Sequence, residues 1–94
     1  MREEELYLVN LYDYYKGLLT IKQRHYFEDY YFDNLSLSEI GGYYDISRNA
    51  VSSQILKIKE KLYEYESVLG LLKKREEIKK ILTEEEIKKI EDFI

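Results

Sequence analysis

Apolar residues along this chain recur at three- and four-residue spacing, and the lack of proline with frequent Leu, Ile, Lys and Glu adds to it, so an all-α fold is expected. On a first helix, Leu8, Leu11, Tyr12, Tyr15, Leu18 and Leu19 share one face. Glu3, Glu4 and Glu5 occupy its first turn, where the helix dipole favours negative charge. Gly17 weakens its end. Thr20 and Gln23 form a capping box that starts a second helix with Ile21, Phe27, Tyr30 and Tyr31 inward. "DNLS" interrupts it, and Ser36 with Glu39 caps a short third helix with Leu37, Ile40 and Tyr44 inward. Gly41 falls where two crossing helices need the smallest side chain, and Asp45 suits the left-handed backbone of a tight turn. Ile46 plugs the angle between the helices, and Ser47 caps a fourth helix. Gly42 costs about 1 kcal/mol against alanine inside a helix, so the third helix is expected to be loosely formed.

Beyond that turn runs one row, Val51, Ile55, Ile58, Leu62, Tyr65, Leu69 and Leu72, with gaps alternating four and three. Such a row is the seam of a coiled coil, or the inner face of a long helix packed on its own domain. The first reading is favoured, because the helix outruns the small bundle before it; a homodimer through this row is expected. Gly70 either ends the helix or sits within a longer one. Thr83 to Glu86 caps a last short amphipathic helix carrying Ile87, Ile90 and Ile94. The expected division is residues 1–69, a helix-turn-helix domain with its long dimerising helix, and residues 70–94, a helical extension.

Composition narrows the class. The chain has 94 residues, enough for one small domain with a thin core. It lacks cysteine, which excludes disulfides and thiolate metal sites. No apolar run approaches the roughly 20 residues that span a bilayer, so no membrane insertion is expected. The start, "MREEELYLVN", lacks the basic-then-apolar order of a signal peptide. A cytoplasmic protein is expected. The eleven tyrosines, beside a single alanine, read as the drift of an A+T-rich genome rather than a stacking surface.

Capped helix, tight turn and capped helix make a helix-turn-helix. On DNA its second helix would present Ser47, Arg48, Asn49, Ser52, Ser53 and Lys57 to the groove, where arginine pairs with guanine and asparagine with adenine. The same geometry also serves as a plain three-helix core. The net charge of −4 weighs against a general nucleic-acid binder. "KKREE" at residues 73–77 reads as a solvated ion-pair face. His25 stands without a second histidine or clustered carboxylates at metal spacing. With no phosphate loop and no nucleophile beside a base, neither an enzyme nor a cofactor is expected.

"NLYDYYKGLLTIKQRHYFEDYYFDNLSLSEI" followed by "ISRNAV" resembles the YlxM-like proteins, small bacterial proteins similar to region 4 of sigma factors. The resemblance runs from residue 6 to about 75. It implies an all-α fold of winged-helix or sigma-region-4 type with a long dimerising helix. It also implies a non-enzymatic accessory or regulatory role in the signal recognition particle pathway, with that particle's GTPase or its RNA as partner. The alternative it implies is a DNA-binding transcription regulator. Gly41 and Gly42 stand where the family usually has alanine and acidic residues, and Ser52 and Ser53 where bulkier or charged ones are usual. Phosphate neutralisation supplies most non-specific DNA affinity, and Arg48, Lys57, Lys59 and Lys61 are few for that task. A dimer would double them.

Overall fold

A computed structural model describes residues 2–94 as six α-helices: α1 (Glu3–Tyr15), α2 (Ile21–Tyr31), α3 (Leu37–Tyr44), α4 (Arg48–Leu69), α5 (Leu71–Ile81) and α6 (Glu84–Ile90). Short 3-10 turns, Lys16–Leu18 and Glu91–Phe93, follow α1 and α6. Among the described residues there is no strand, and the fold is an all-helical, helix-turn-helix bundle.

The helix starts follow local chemistry. The Thr20, Ser36 and Thr83 hydroxyls each accept the backbone N–H three residues on, while Gln23, Glu39 and Glu86 return a bond to the cap's own N–H. Two orphan amides are satisfied at each of these starts. Asp45 sits at φ 55° and ends α3; Gly70 sits at φ 60° and ends α4.

α4 is the spine, with α1, α2 and α3 packed along it. Its row meets Leu8, Leu11, Tyr12 and Tyr15 from α1, Phe27 from α2 and Ile40 from α3 in one core. Each fully buried aliphatic or phenyl side chain contributes roughly 1.5–3 kcal/mol. Tyr12 stacks on Phe27 with ring centres 4.3 Å apart, and its hydroxyl donates to Glu28.

This packing places the heptad row expected at a dimer interface largely inside the chain's own core. Val51, Ile55, Ile58, Leu62 and Leu72 are buried within the chain's own core. Tyr65 is partly covered, and its hydroxyl donates to the Leu18 carbonyl at 3.3 Å. Of the seven, Leu69 alone is exposed. The bundle reaches farther along α4 than three short helices suggest, because α5 turns back at Gly70 and lays Leu72 on α1.

Three smaller corrections lie in the first half. Leu18 is exposed because the tightened turn after Tyr15 rotates it outward, and Ile21, on the first turn of α2, is exposed as well. Tyr26, which was not expected inside, is buried and meets Tyr44 edge-on at 4.8 Å.

Past Leu72 the contact of α5 with the body thins, with Arg75 over the Tyr14 ring of α1 at 5.9 Å. Among the described residues the core takes nothing from beyond Leu72, and no residue of α6 is buried. The molecule measures 49 × 24 × 21 Å.

Candidate nucleic-acid interface

The turn between α3 and α4 is built on Gly41. The Asp45 and Ile46 amides both donate to the Gly41 carbonyl, the latter at 2.9 Å, closing α3 in a left-handed cap. The chain then folds back so tightly that a Cβ at Gly41 would lie 2.5 Å from the Ile46 carbonyl oxygen. A Cβ at Gly42 would meet nothing within 4 Å. The two adjacent glycines thus have opposite roles.

From that turn α4 is launched by Ser47, whose Oγ accepts the Ala50 N–H at 3.0 Å. Ser47 is therefore spent on the cap and leaves its hydroxyl proton to offer. Burial of Val51, Ile55 and Ile58 fixes the rotation of the helix, so Arg48, Asn49, Ser52, Ser53 and Lys57 are all exposed. The six residues expected at a groove lie at one end of one helix, and five of them have free side chains. α3 lies across the start of α4 and is held from behind by α2, where the Tyr44 hydroxyl donates to Asp29 at 3.1 Å.

The sequence reading missed three features. Asn49, Ser53, Leu56 and Glu60 follow one another at four, three and four residues along the exposed side. Leu56 is thus an apolar residue in the middle of the polar face, 56% exposed. Its signal was in plain view, since it falls between two positions of the buried row. Tyr43, 73% exposed, stands beside the turn on α3. Third, Lys59 is taken up by Glu4 of α1, with Nζ 3.1 Å from Oε1. The lysine holds the Glu4 carboxyl below the usual range, mainly by this charged hydrogen bond. A pair between residues so far apart leaves no trace in local spacing.

The cations left on this surface are Arg48 and Lys57, with Lys61 part-covered at its flank. Arg24 is engaged elsewhere, its Nε donating to the Lys16 carbonyl at 2.8 Å. Among the described residues, no group of acidic or histidine side chains is placed to hold a metal ion, and no helix is long and apolar enough to cross a membrane.

A family model described as "Putative helix-turn-helix protein, YlxM / p13 like" matches residues 2–93. A UPF0122 protein of Geobacillus kaustophilus is 42% identical over 94 residues, which span 100% of this chain and 81% of that protein. A UPF0122 protein of Shouchella clausii is 45% identical over 84 residues, 89% of this chain and 77% of the relative. One of Ureaplasma parvum is 39% identical over 96 aligned residues, 98% of this chain and 97% of the relative.

Proposed function

The chain belongs to the YlxM/p13-like family of helix-turn-helix proteins, and on that premise we propose that it binds duplex DNA through the exposed row of α4 and acts as a regulator by binding, without catalysis. One observation carries this reading: the polar row Arg48, Asn49, Ser52, Ser53 and Lys57 is exposed on a helix whose opposite row is locked in the core. A rigid helix with free donors at its N-terminal end is what a major groove admits. The Arg48 guanidinium suits guanine and the Asn49 amide suits adenine, each such pair giving about 1–3 kcal/mol of discrimination. Leu56 adds an apolar contact for a thymine methyl group.

The family description and the geometry of α3 and α4 both support this regulator. It therefore takes precedence over the accessory role in the signal recognition particle pathway implied by the resemblance.

Fluorescence anisotropy with a pool of random duplexes, followed by selected sequences, tests it. Arg48→Ala is expected to flatten the preference among sequences. Lys57→Ala should weaken all duplexes alike and reduce the salt slope by about 0.9. No duplex binding at tens of micromolar protein in low salt would overturn the proposal. Tight binding to the purified targeting GTPase or its RNA, with no response to duplex, would restore the other reading.

A further inference from the structure

Two long stretches of this acidic chain are free of aspartate and glutamate, residues 14–27 and 46–59. The second opens α4 and carries the exposed row. The first turns the corner from α1 into α2, and the proposed contact with DNA makes no use of it. Lys16 and Lys22 are exposed there, and Arg24 is half-exposed. Among the described residues the one ion pair is that of Lys59 with Glu4, so no carboxylate of the chain directly pairs with these three cations. The stretch is bounded by Asp13, which pairs with no cation, and by Glu28, which accepts the Tyr12 hydroxyl.

The same corner exposes two aliphatic side chains, Leu18 at 55% and Ile21 at 69%. Its backbone is tied down on three sides. The Arg24 Nε donates to the Lys16 carbonyl at 2.8 Å across the turn, and the Thr20–Gln23 capping box fixes the first turn of α2. The Tyr65 hydroxyl of α4 donates to the Leu18 carbonyl at 3.3 Å. Two aliphatic groups are thereby displayed in a fixed setting among unpaired positive charges. Such a surface is complementary to carboxylates interspersed with apolar side chains. A nucleic-acid backbone would offer phosphates to the cations but nothing apolar to cover Leu18 and Ile21.

We propose that this corner docks an acidic polypeptide segment of another protein. Its carboxylates meet Lys16, Lys22 and Arg24, and an apolar side chain between them packs on Leu18 and Ile21. Arg24 uses its Nε and one Nη on the chain's own carbonyls and keeps its remaining N–H groups for a carboxylate. Because the corner is already rigid, little ordering is lost on binding. The site is separate from the exposed row. Tyr65, which holds Leu18, stands about 25 Å along α4 from Arg48 at the ~1.5 Å rise per residue of a helix. The inference therefore does not rest on DNA binding, and one chain has room for a duplex and a protein at once.

Peptide display on the full-length chain tests it. A random peptide library is selected against the unmodified protein, and the strongest binder is synthesised with a fluorophore and titrated by anisotropy. The enriched peptides are expected to combine Asp or Glu with Leu, Ile or Phe. Ile21→Ser and Lys22→Glu change exposed side chains, so circular dichroism should stay as it was while the peptide binds at least about tenfold more weakly. Lys22→Arg should keep the affinity, and Ile21→Ser should leave duplex binding unchanged, which separates the corner from the row of α4. A library that enriches nothing, or only peptides without acidic residues, would overturn the proposal. So would acidic peptides that bind the Ile21→Ser and Lys22→Glu chains as tightly as the unmodified one. Single-stranded RNA and vesicles of phosphatidylglycerol with phosphatidylcholine are titrated alongside. If either binds with that sensitivity to both variants and no peptide does, the proposal falls and the corner belongs to nucleic acid or to a membrane surface.

Discussion

Gly41 and Gly42 are neighbours in sequence, and the helix-turn-helix makes opposite demands on them. At Gly41 even a methyl group would press on the Ile46 carbonyl, a backbone atom with no freedom to move aside. Gly41→Ala is expected to cost about 1–3 kcal/mol through overpacking at the turn. At Gly42 the space is open and the backbone helical, so Gly42→Ala should gain up to about 1 kcal/mol. Urea unfolding of the two variants checks both signs, and a larger loss at Gly42 would mean that the turn is built otherwise. Much at this scale was legible beforehand, because caps and turns use residues close in sequence. Thr20, Ser36, Asp45, Ser47 and Thr83 stand where their side-chain chemistry placed them. Tyr26 was not legible: its ring is buried by Tyr44 from another helix, and no local spacing encodes that meeting.

Among elements, the long row of α4 shows where periodicity stops being informative. A seam against a second chain and a stripe against one's own bundle have the same spacing. What decides is how far the neighbours reach, and here α5 returns to cover the far end. Leu62→Glu is accordingly expected to unfold the single chain, at a cost above about 3 kcal/mol, rather than to separate intact subunits. The return of α5 depends on a cap that sequence reading did not find. Because Gly70 is a left-handed break, the first amides of α5 have no partner within the helix. The Leu71 N–H donates to the Tyr15 hydroxyl at 3.1 Å, and the Leu72 and Lys73 amides donate to the Glu66 carboxylate at 3.2 and 3.0 Å. The Tyr15 hydroxyl itself donates to Glu66. Burial first, and then this carboxylate, push the Tyr15 hydroxyl up to about 12. The folded chain thus holds that proton more tightly than the unfolded one. The stability it provides is complete below the unfolded value near pH 10 and is lost as pH rises through about 12. An alkaline titration followed by circular dichroism should therefore lose helix above about pH 10. Tyr15→Phe should make that loss shallower while lowering stability at neutral pH by about 1–3 kcal/mol, since the Leu71 amide loses its acceptor.

At the scale of the molecule the proposed function sets an acidic chain against an acidic polymer. The net charge of −4 could be read from sequence; the pairing that removes Lys59 from service could not, because Glu4 comes from the far end of the chain. One copy is left with Arg48, Lys57 and the flanking Lys61, so in the proposed complex it would neutralise about two or three phosphates. Its binding constant should fall with salt at a log–log slope of about −2 to −3. A dimer would bring two recognition helices to one duplex and double the slope to about −4 to −6. Glu60 works against both, since it stands on the same exposed row as Asn49, Ser53 and Leu56. Replacing it with glutamine removes one repulsion per copy and should tighten binding several-fold without changing the preferred sequence. These expectations meet in one measurement, anisotropy titrations between about 50 and 200 mM salt. The unmodified chain, Lys57→Ala and Glu60→Gln would be compared. A slope of about −4 to −6 for the unmodified chain would show that two copies meet each duplex. A slope of about −2 to −3 would show that each duplex is met by a single copy, so that base contacts from Arg48 and Asn49 must carry much of the affinity.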